Sequence, residues 1–241
     1  MDIAQAICDR HVGIGADGWI ILSKTPDEGT DAAIQLWNSD GSHSEISGNG
    51  TRCAAALLVS QGLTHSPEIR ILTGAGPKIL RLLDRNGNRF SFEMNMGEAT
   101  VEELNATVAA GRDAVILDVG NPQLAILTPD FDFDWRELGA EMESHPYFPN
   151  RTNVSFVRVV DDHTLDVRFF ERGAGETMSS GTGSTGAAAA AVARGLVQSP
   201  IRILTPAGPL HIRREGEDYL LAGPAEISAS GEFYYDKKFD T

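Results

Sequence analysis

Ser47-Gly48-Asn49-Gly50-Thr51-Arg52-Cys53-Ala54-Ala55-Ala56-Leu57-Leu58-Val59-Ser60-Gln61-Gly62-Leu63 is matched later in the chain by Ser180-Gly181-Thr182-Gly183-Ser184-Thr185-Gly186-Ala187-Ala188-Ala189-Ala190-Ala191-Val192-Ala193-Arg194-Gly195-Leu196. Gly48, Gly50, Ala54, Ala55, Ala56, Val59, Gly62 and Leu63 recur in register as Gly181, Gly183, Ala187, Ala188, Ala189, Val192, Gly195 and Leu196. Shortly after each copy, Ile69-Arg70-Ile71-Leu72-Thr73-Gly74-Ala75-Gly76-Pro77 returns as Ile201-Arg202-Ile203-Leu204-Thr205-Pro206-Ala207-Gly208-Pro209. An alanine run alone is low in complexity, but the strand-and-turn match is not. The chain reads as a duplicated unit, and duplication multiplies whatever site the unit carries.

Each copy has one local logic. A β-rich stretch, Ala33–Trp37 or Leu165–Phe170, leads through a polar loop to a serine, two glycines and an alanine-rich run. That run has no polar face, so it is expected to be a buried helix whose small residues allow close packing. Gly62 and Gly195 stand where a left-handed glycine would end it. A strand then follows, Ile69–Leu72 or Ile201–Leu204, stopped by a Gly/Pro turn. Between the copies, Phe90–Met96 and Ala114–Val119 read as further strands. The expected fold is α+β, with two pseudo-symmetric strand-rich lobes, each wrapped around a central helix. The N-terminal lobe is expected to span 1–106 and the C-terminal lobe 107–226, with the tail 227–241 returning to the first lobe.

Length and composition agree with this size. The 241 residues, 41% hydrophobic and 22% charged, suit one large or two small globular domains with a sizeable core. Twenty Lys+Arg against 34 Asp+Glu give a formal charge of −14. That balance repels phosphate backbones and anionic lipid, so neither nucleic acid nor membrane is expected as a partner. Cys8 and Cys53 are the only cysteines, too few for a disulfide framework. No basic-then-apolar leader opens the chain and no run reaches the roughly 20 apolar residues of a membrane span. A cytoplasmic location is expected.

The first-turn N–H groups of a helix lack partners and carry positive dipole character, so a Ser-Gly-x-Gly start can hold an anion without a formal charge. Two such starts facing each other would flank one small ligand, with Ser47 and Ser180 on opposite sides of it. Groups on opposite faces of one carbon suit stereoinversion, one removing a proton while the other delivers one. Each serine on its own also serves as a helix N-cap, worth about 1 kcal/mol. No Gly-Lys-Ser/Thr follows either glycine pair, so a phosphate loop is excluded.

The chain resembles the diaminopimelate epimerase family, cofactor-independent amino-acid epimerases of bacterial lysine and cell-wall biosynthesis. The resemblance is carried by Cys8-Asp9-Arg10-His11-Val12-Gly13-Ile14-Gly15-Ala16-Asp17-Gly18, by Asn38-Ser39-Asp40-Gly41-Ser42 leading to Gly48-Asn49-Gly50-Thr51-Arg52-Cys53, and by Gly120-Asn121-Pro122. It continues through His145-Pro146-Tyr147-Phe148-Pro149-Asn150-Arg151-Thr152-Asn153-Val154 and Glu171-Arg172-Gly173-Ala174-Gly175-Glu176-Thr177 leading to Gly181-Thr182-Gly183. The resemblance implies the two-lobed epimerase fold with an amino acid, diaminopimelate or similar, between the lobes. It implies that Asn38, Asn121, Asn153, Glu171 and Arg172 hold amino and carboxylate groups of the substrate, and that the backbone amides of Gly48-Asn49 and Gly181-Thr182 take the reacting carboxylate. Their chemistry fits: asparagine offers donor and acceptor, and an arginine fork grips a carboxylate.

Three departures stand out. The family has a catalytic cysteine before each Gly-x-Gly, and here both positions are serine, Ser47 and Ser180. A thiol of pKa about 8.5 can be drawn down at a helix start to yield thiolate, whereas a serine hydroxyl needs a partner that takes its proton. Gln123 follows Asn121-Pro122 where the family usually has histidine. The family's opening strand and its ligand-contacting asparagine are absent from the start of the sequence. Cys53, more than a turn into the helix, is expected to be a buried apolar residue rather than a substitute base. The expected function is therefore a diaminopimelate epimerase homologue, weak or inactive in converting LL- to meso-diaminopimelate. The alternatives are an amino-acid isomerase or dehydratase using Glu171 or another base, and a non-catalytic amino-acid-binding protein.

No cofactor is expected. Pyridoxal phosphate requires a Schiff-base lysine, and Lys24, Lys78, Lys237 and Lys238 all lie outside the glycine-rich segments. The six histidines are scattered and none pairs with a cysteine at metal-ligand spacing, so no metal site is expected. The sequence leaves open whether the chain forms a homodimer.

Overall fold

The computed structural model describes residues 2–24, 29–108 and 111–235. Among the described residues four helices are formed by Asp2–Cys8 (α1), Gly48–Ser60 (α2), Trp135–Glu143 (α3) and Gly181–Ala193 (α4). The strands of the first half are Gly18–Ser23 (β1), Ala32–Asn38 (β2), His43–Ser44 (β3), Glu68–Thr73 (β4), Gly76–Asn86 (β5) and Arg89–Glu98 (β6). They are followed by Thr100–Ala106 (β7), Ala114–Asp118 (β8), Pro122–Leu127 (β9), Asn153–Asp161 (β10) and Thr164–Glu171 (β11). Gly175–Thr177 (β12), Ile201–Thr205 (β13), Gly208–Glu215 (β14) and Asp218–Glu226 (β15) complete the set.

Strand order makes the duplication visible. The sheet runs β1-β2-β4-β5-β6-β15-β14-β13-β11-β10, then β9-β8-β7. About the β6–β15 pair the order is a mirror: β1 corresponds to β10, β2 to β11, β4 to β13 and β5 to β14. Parallel β2–β4 is repeated by parallel β11–β13, and the flanking pairs are antiparallel in both halves. Even the short strands correspond, because Leu36 pairs with Ser44 and Trp37 with His43, as Phe169 pairs with Thr177 and Phe170 with Glu176. β15 pairs with β6 from Asp218–Glu98 to Glu226–Arg89 and so stitches the halves together.

Each half wraps a helix of the same design. Ser47 (φ −137°, ψ 121°) and Ser180 (φ −130°, ψ 128°) are extended N-caps whose hydroxyls accept from the N–H groups of Gly50 and Gly183. At the other ends Gly62 (φ 65°) and Gly195 (φ 66°) adopt the left-handed conformation that only glycine takes freely. Leu63 N–H then closes on the Leu58 carbonyl and Leu196 N–H on Ala191, each at 2.9 Å, so both glycine stops act as the sequence implies. Burial differs between the copies. In α4 every residue from Gly181 to Ala191 is buried, whereas α2 leaves Cys53 and Leu57 exposed.

One hydrophobic cluster spans both halves, joining Leu80, Phe92 and Met94 to Phe169, Ile203 and Leu221 around the alanines of the two helices. A second gathers Trp135, Met142, Phe156 and Ile126 beneath α3. By strand pairing, β7 joins β8 in the second half although it lies within 1–106. Of the tail, Ile227 N–H bonds to the Asn88 carbonyl at 3.0 Å, a contact with the first half; residues 236–241 lie outside the described residues. No helix of the described residues is long and apolar enough to cross a membrane.

Candidate active site

The two helix starts meet. A Cβ built on Gly48 would lie 2.9 Å from the Gly181 Cα, and one built on Gly181 would lie 2.7 Å from the Gly48 Cα. The backbones thus approach more closely than any side chain permits, which is what glycine at both positions achieves. Two positive helix ends converge on one spot. Beside it lies a cavity of about 360 Å³, lined from the first half by Asp17, Trp19, Ile20, Asn38, Ser47, Asn49 and Cys53 and from the second by Asn121, Asn153, Glu171, Arg172 and Thr182.

The two serines sit differently. Ser47 lines the cavity, and its hydroxyl oxygen accepts from Gly50 N–H at 3.1 Å. Ser180 is 2% exposed and lies just behind a lining formed by Glu171, Thr177, Ser179 and Thr182. Its hydroxyl donates to Glu171 Oε1 at 2.6 Å while accepting from Gly183 N–H at 3.0 Å. Thr177 donates to the other carboxylate oxygen, Oε2, at 2.6 Å. Burial pushes the Glu171 carboxyl above its usual range; the two hydroxyls oppose that shift and the charge of Asp17 adds to it.

The asparagines are held by their surroundings. Asn153 donates to the Pro122 carbonyl at 3.0 Å and accepts from Arg172 N–H at 3.1 Å. Asn121 accepts from the Gln123 side chain at 2.7 Å, and Gln123 is buried with its Oε1 unpartnered. Asn38 donates to Ser42 Oγ at 3.0 Å and, across the interface, to the Arg172 carbonyl at 3.4 Å. The Arg172 guanidinium bonds the Asn150 carbonyl at 3.1 Å and Glu45 Oε2 of the other half at 2.7 Å. The remaining amide, Asn49, donates across the interface to the Ser179 carbonyl at 2.6 Å.

Every side chain expected from the sequence is therefore in or directly behind one cleft, beside the contact between Gly48 and Gly181. The expectation for Cys53 is corrected. It is exposed on the cavity wall, because it follows Asn49 and Gly50 by four and three residues and so shares their helix face. That spacing was a readable signal. Desolvation by the surrounding protein pushes the thiol pKa up. Thr177, Asp17 and Glu45 are further members of the site. Among the described residues no group of three or more His, Cys, Asp or Glu side chains could hold a metal ion.

A mirrored pair of strand-wrapped helices, meeting end to end over a polar cleft, defines the class of two-lobed, pseudo-symmetric epimerase folds. Solved structures share it. A hydroxyproline epimerase from Agrobacterium vitis superposes with a TM-score of 0.73 at 18% identity, covering 92% of this chain and 76% of that one. A Bacillus anthracis phenazine biosynthesis protein gives 0.66 at 14%, covering 89% and 84%. Sequence comparison narrows the class: a profile of diaminopimelate epimerase matches residues 2–102 and 115–227. Diaminopimelate epimerases from Pelotomaculum thermopropionicum and Aromatoleum aromaticum are 35% and 36% identical, covering 97% and 96% of this chain and 89% and 88% of theirs. The chain belongs to the diaminopimelate epimerase family.

Proposed function

We propose that the cleft binds diaminopimelate, or an amino acid like it, and that the chain is a serine form of the epimerase with little or no two-base turnover. The reading rests above all on the contact between Gly48 and Gly181, which brings two sets of first-turn N–H groups to one place. A carboxylate there is held by dipoles rather than by a salt bridge. Asn38, Asn121, Asn153 and Arg172 are positioned to orient the rest of the ligand, and the amino acid enters as part of lysine and cell-wall biosynthesis in the cytoplasm.

The chemistry of the two faces is unequal. On one, Ser180 is already bonded to Glu171, so a proton leaving Cα for Ser180 Oγ can be matched by transfer of the serine proton to Glu171 Oε1. On the other, Ser47 has a backbone N–H as its partner and, among the described residues, no carboxylate or imidazole bonded to it. Removing a proton and returning it on the opposite face requires both. Epimerisation is therefore limited by the Ser47 side.

Glu171 with Ser180 and Thr177 also supports the second reading, a dehydratase or isomerase that needs a single base. Chiral analysis of diaminopimelate incubated with the protein in D2O, together with calorimetric titration, tests both. Saturable binding with inversion slower than in a cysteine-restored variant supports the serine-epimerase reading. Loss of water from a hydroxylated amino acid supports the second. Binding without exchange or elimination leaves an amino-acid-binding protein, and absence of binding refutes the site.

A further inference from the structure

Arg52 is 3% exposed, in the interior beneath the cleft. Its Nε donates to the Pro224 carbonyl at 3.2 Å and its Nη2 to Asn49 Oδ1 at 2.5 Å, while Nη1 has no partner among the described residues. No carboxylate pairs with it there. Burying a guanidinium without a counter-ion is costly, and burial lowers its pKa to about 10. The fold makes room for it all the same: a Cβ on Gly223 would lie 3.1 Å from the guanidinium carbon. A hydrophobic residue would fill that space at less cost, so the charge and the fork call for a role.

The fork grips the Asn49 oxygen, which leaves the Asn49 amide group to reach Ser179 of the other half at 2.6 Å. Ser179 immediately precedes the cap of α4. The path from β15 through Arg52 and Asn49 to Ser179 thus ties the start of α2 to the start of α4. The second half has no such path, since the residues equivalent to Asn49 and Arg52 are Thr182 and Thr185.

We propose that Arg52 is a positioning residue: by fixing the Asn49 side chain against Ser179 it locks the two helix starts into a single cradle for the ligand's carboxylate. The ligand part of this rests on the proposed function, whereas the lock between the halves does not. Arg52→Lys keeps the charge but cannot hold Pro224 and Asn49 together as the fork does. Arg52→Met removes the charge as well.

Two measurements test the proposal. Hydrogen–deuterium exchange on the unliganded protein is expected to show Arg52→Lys and Asn49→Ala each speeding exchange about tenfold in peptides covering 179–183, with the β10–β11 ladder unchanged. Unchanged protection at 179–183 in the Lys variant, or a uniform rise over the chain, overturns the lock. Calorimetry with diaminopimelate is expected to show affinity falling about tenfold in Arg52→Met and in Asn49→Ala, and by no more than that in the double variant, because both break one path. Wild-type affinity in a folded Arg52→Met or Arg52→Lys protein, or losses that multiply, overturn the role in binding. If the wild type binds no diaminopimelate, the functional reading fails while the exchange experiment still decides the lock.

Discussion

Glu171 and Asn38 occupy equivalent positions in the duplicated halves, each ending the strand that leads towards a helix-capping serine. One is an acid and the other an amide. Glu171 accepts the hydroxyl of Ser180, whereas Asn38 donates to Ser42 and to the Arg172 backbone. The backbone is nearly two-fold symmetric and the proton chemistry is not.

Restoring thiols should therefore act unequally. Ser180→Cys is expected to raise α-deuterium incorporation into diaminopimelate without comparable inversion, since among the described residues position 180 has a carboxylate partner and position 47 has none. Adding Ser47→Cys is expected to raise LL-to-meso conversion by about 100-fold or more, the usual worth of positioned acid–base groups. Mass spectrometry and chiral chromatography read the two rates separately. Full inversion by the unaltered protein, matching that of the double variant, contradicts the need for thiols.

Stability should depend on pH through Glu171. Its carboxyl is raised in the folded state, so the native protein holds this proton more tightly than the unfolded chain does. Its contribution is fully present below the unfolded carboxyl value and is lost as pH rises through the folded one. Glu171→Gln, neutral throughout, should melt higher than wild type at pH 8, with the advantage shrinking as pH is lowered towards 4.5. An advantage that grows on acidification would reverse the sign and refute the assignment.

The glycine contact leaves no room for even a methyl group. Gly48→Ala and Gly181→Ala are each expected to destabilise the fold by about 1–3 kcal/mol, the usual range for overpacking, and to abolish carboxylate binding by pushing the helix starts apart. Denaturant melts and calorimetry check this. Gly76→Ala is a useful contrast, because nothing lies within 4 Å of a Cβ there and the positive φ of 85° alone is strained.

Cys53 offers a reporter of occupancy. It is the cysteine on the cavity wall, and Cys8 is buried. Iodoacetamide is expected to label Cys53 slowly at pH 7 and faster at pH 9, because partial desolvation in the cleft raises its thiol pKa. Diaminopimelate should slow the labelling several-fold. Peptide mapping that finds labelling unaffected by ligand would place the ligand elsewhere.

Much of this was legible because the repeat fixes two helices, their serine caps and their glycine stops at once, and local chemistry then decides each end. The strands around Ile69 and Ile201 and the cleft asparagines followed from the same registers and from the resemblance. Other features were harder to read. Arg52 looks like a surface residue by type, and only the space beside Gly223 and the carbonyl of Pro224, far along the chain, make it an interior one. The placement of β7 with β8 depends on long-range pairing that no local pattern encodes. Burial of Ser180 behind Glu171, while Ser47 is only half-buried, comes from the packing of the whole second half.

The central position of β15 has a consequence for biosynthesis. Every other strand described here leaves the ribosome before it, so β6 and β14 wait as open edges on the nascent chain until residues 218–226 arrive to pair with both. The cleft is finished only when the interval between the first half and its mirror image is filled. A message cut short before that strand would yield two sticky half-sheets rather than a smaller version of the protein.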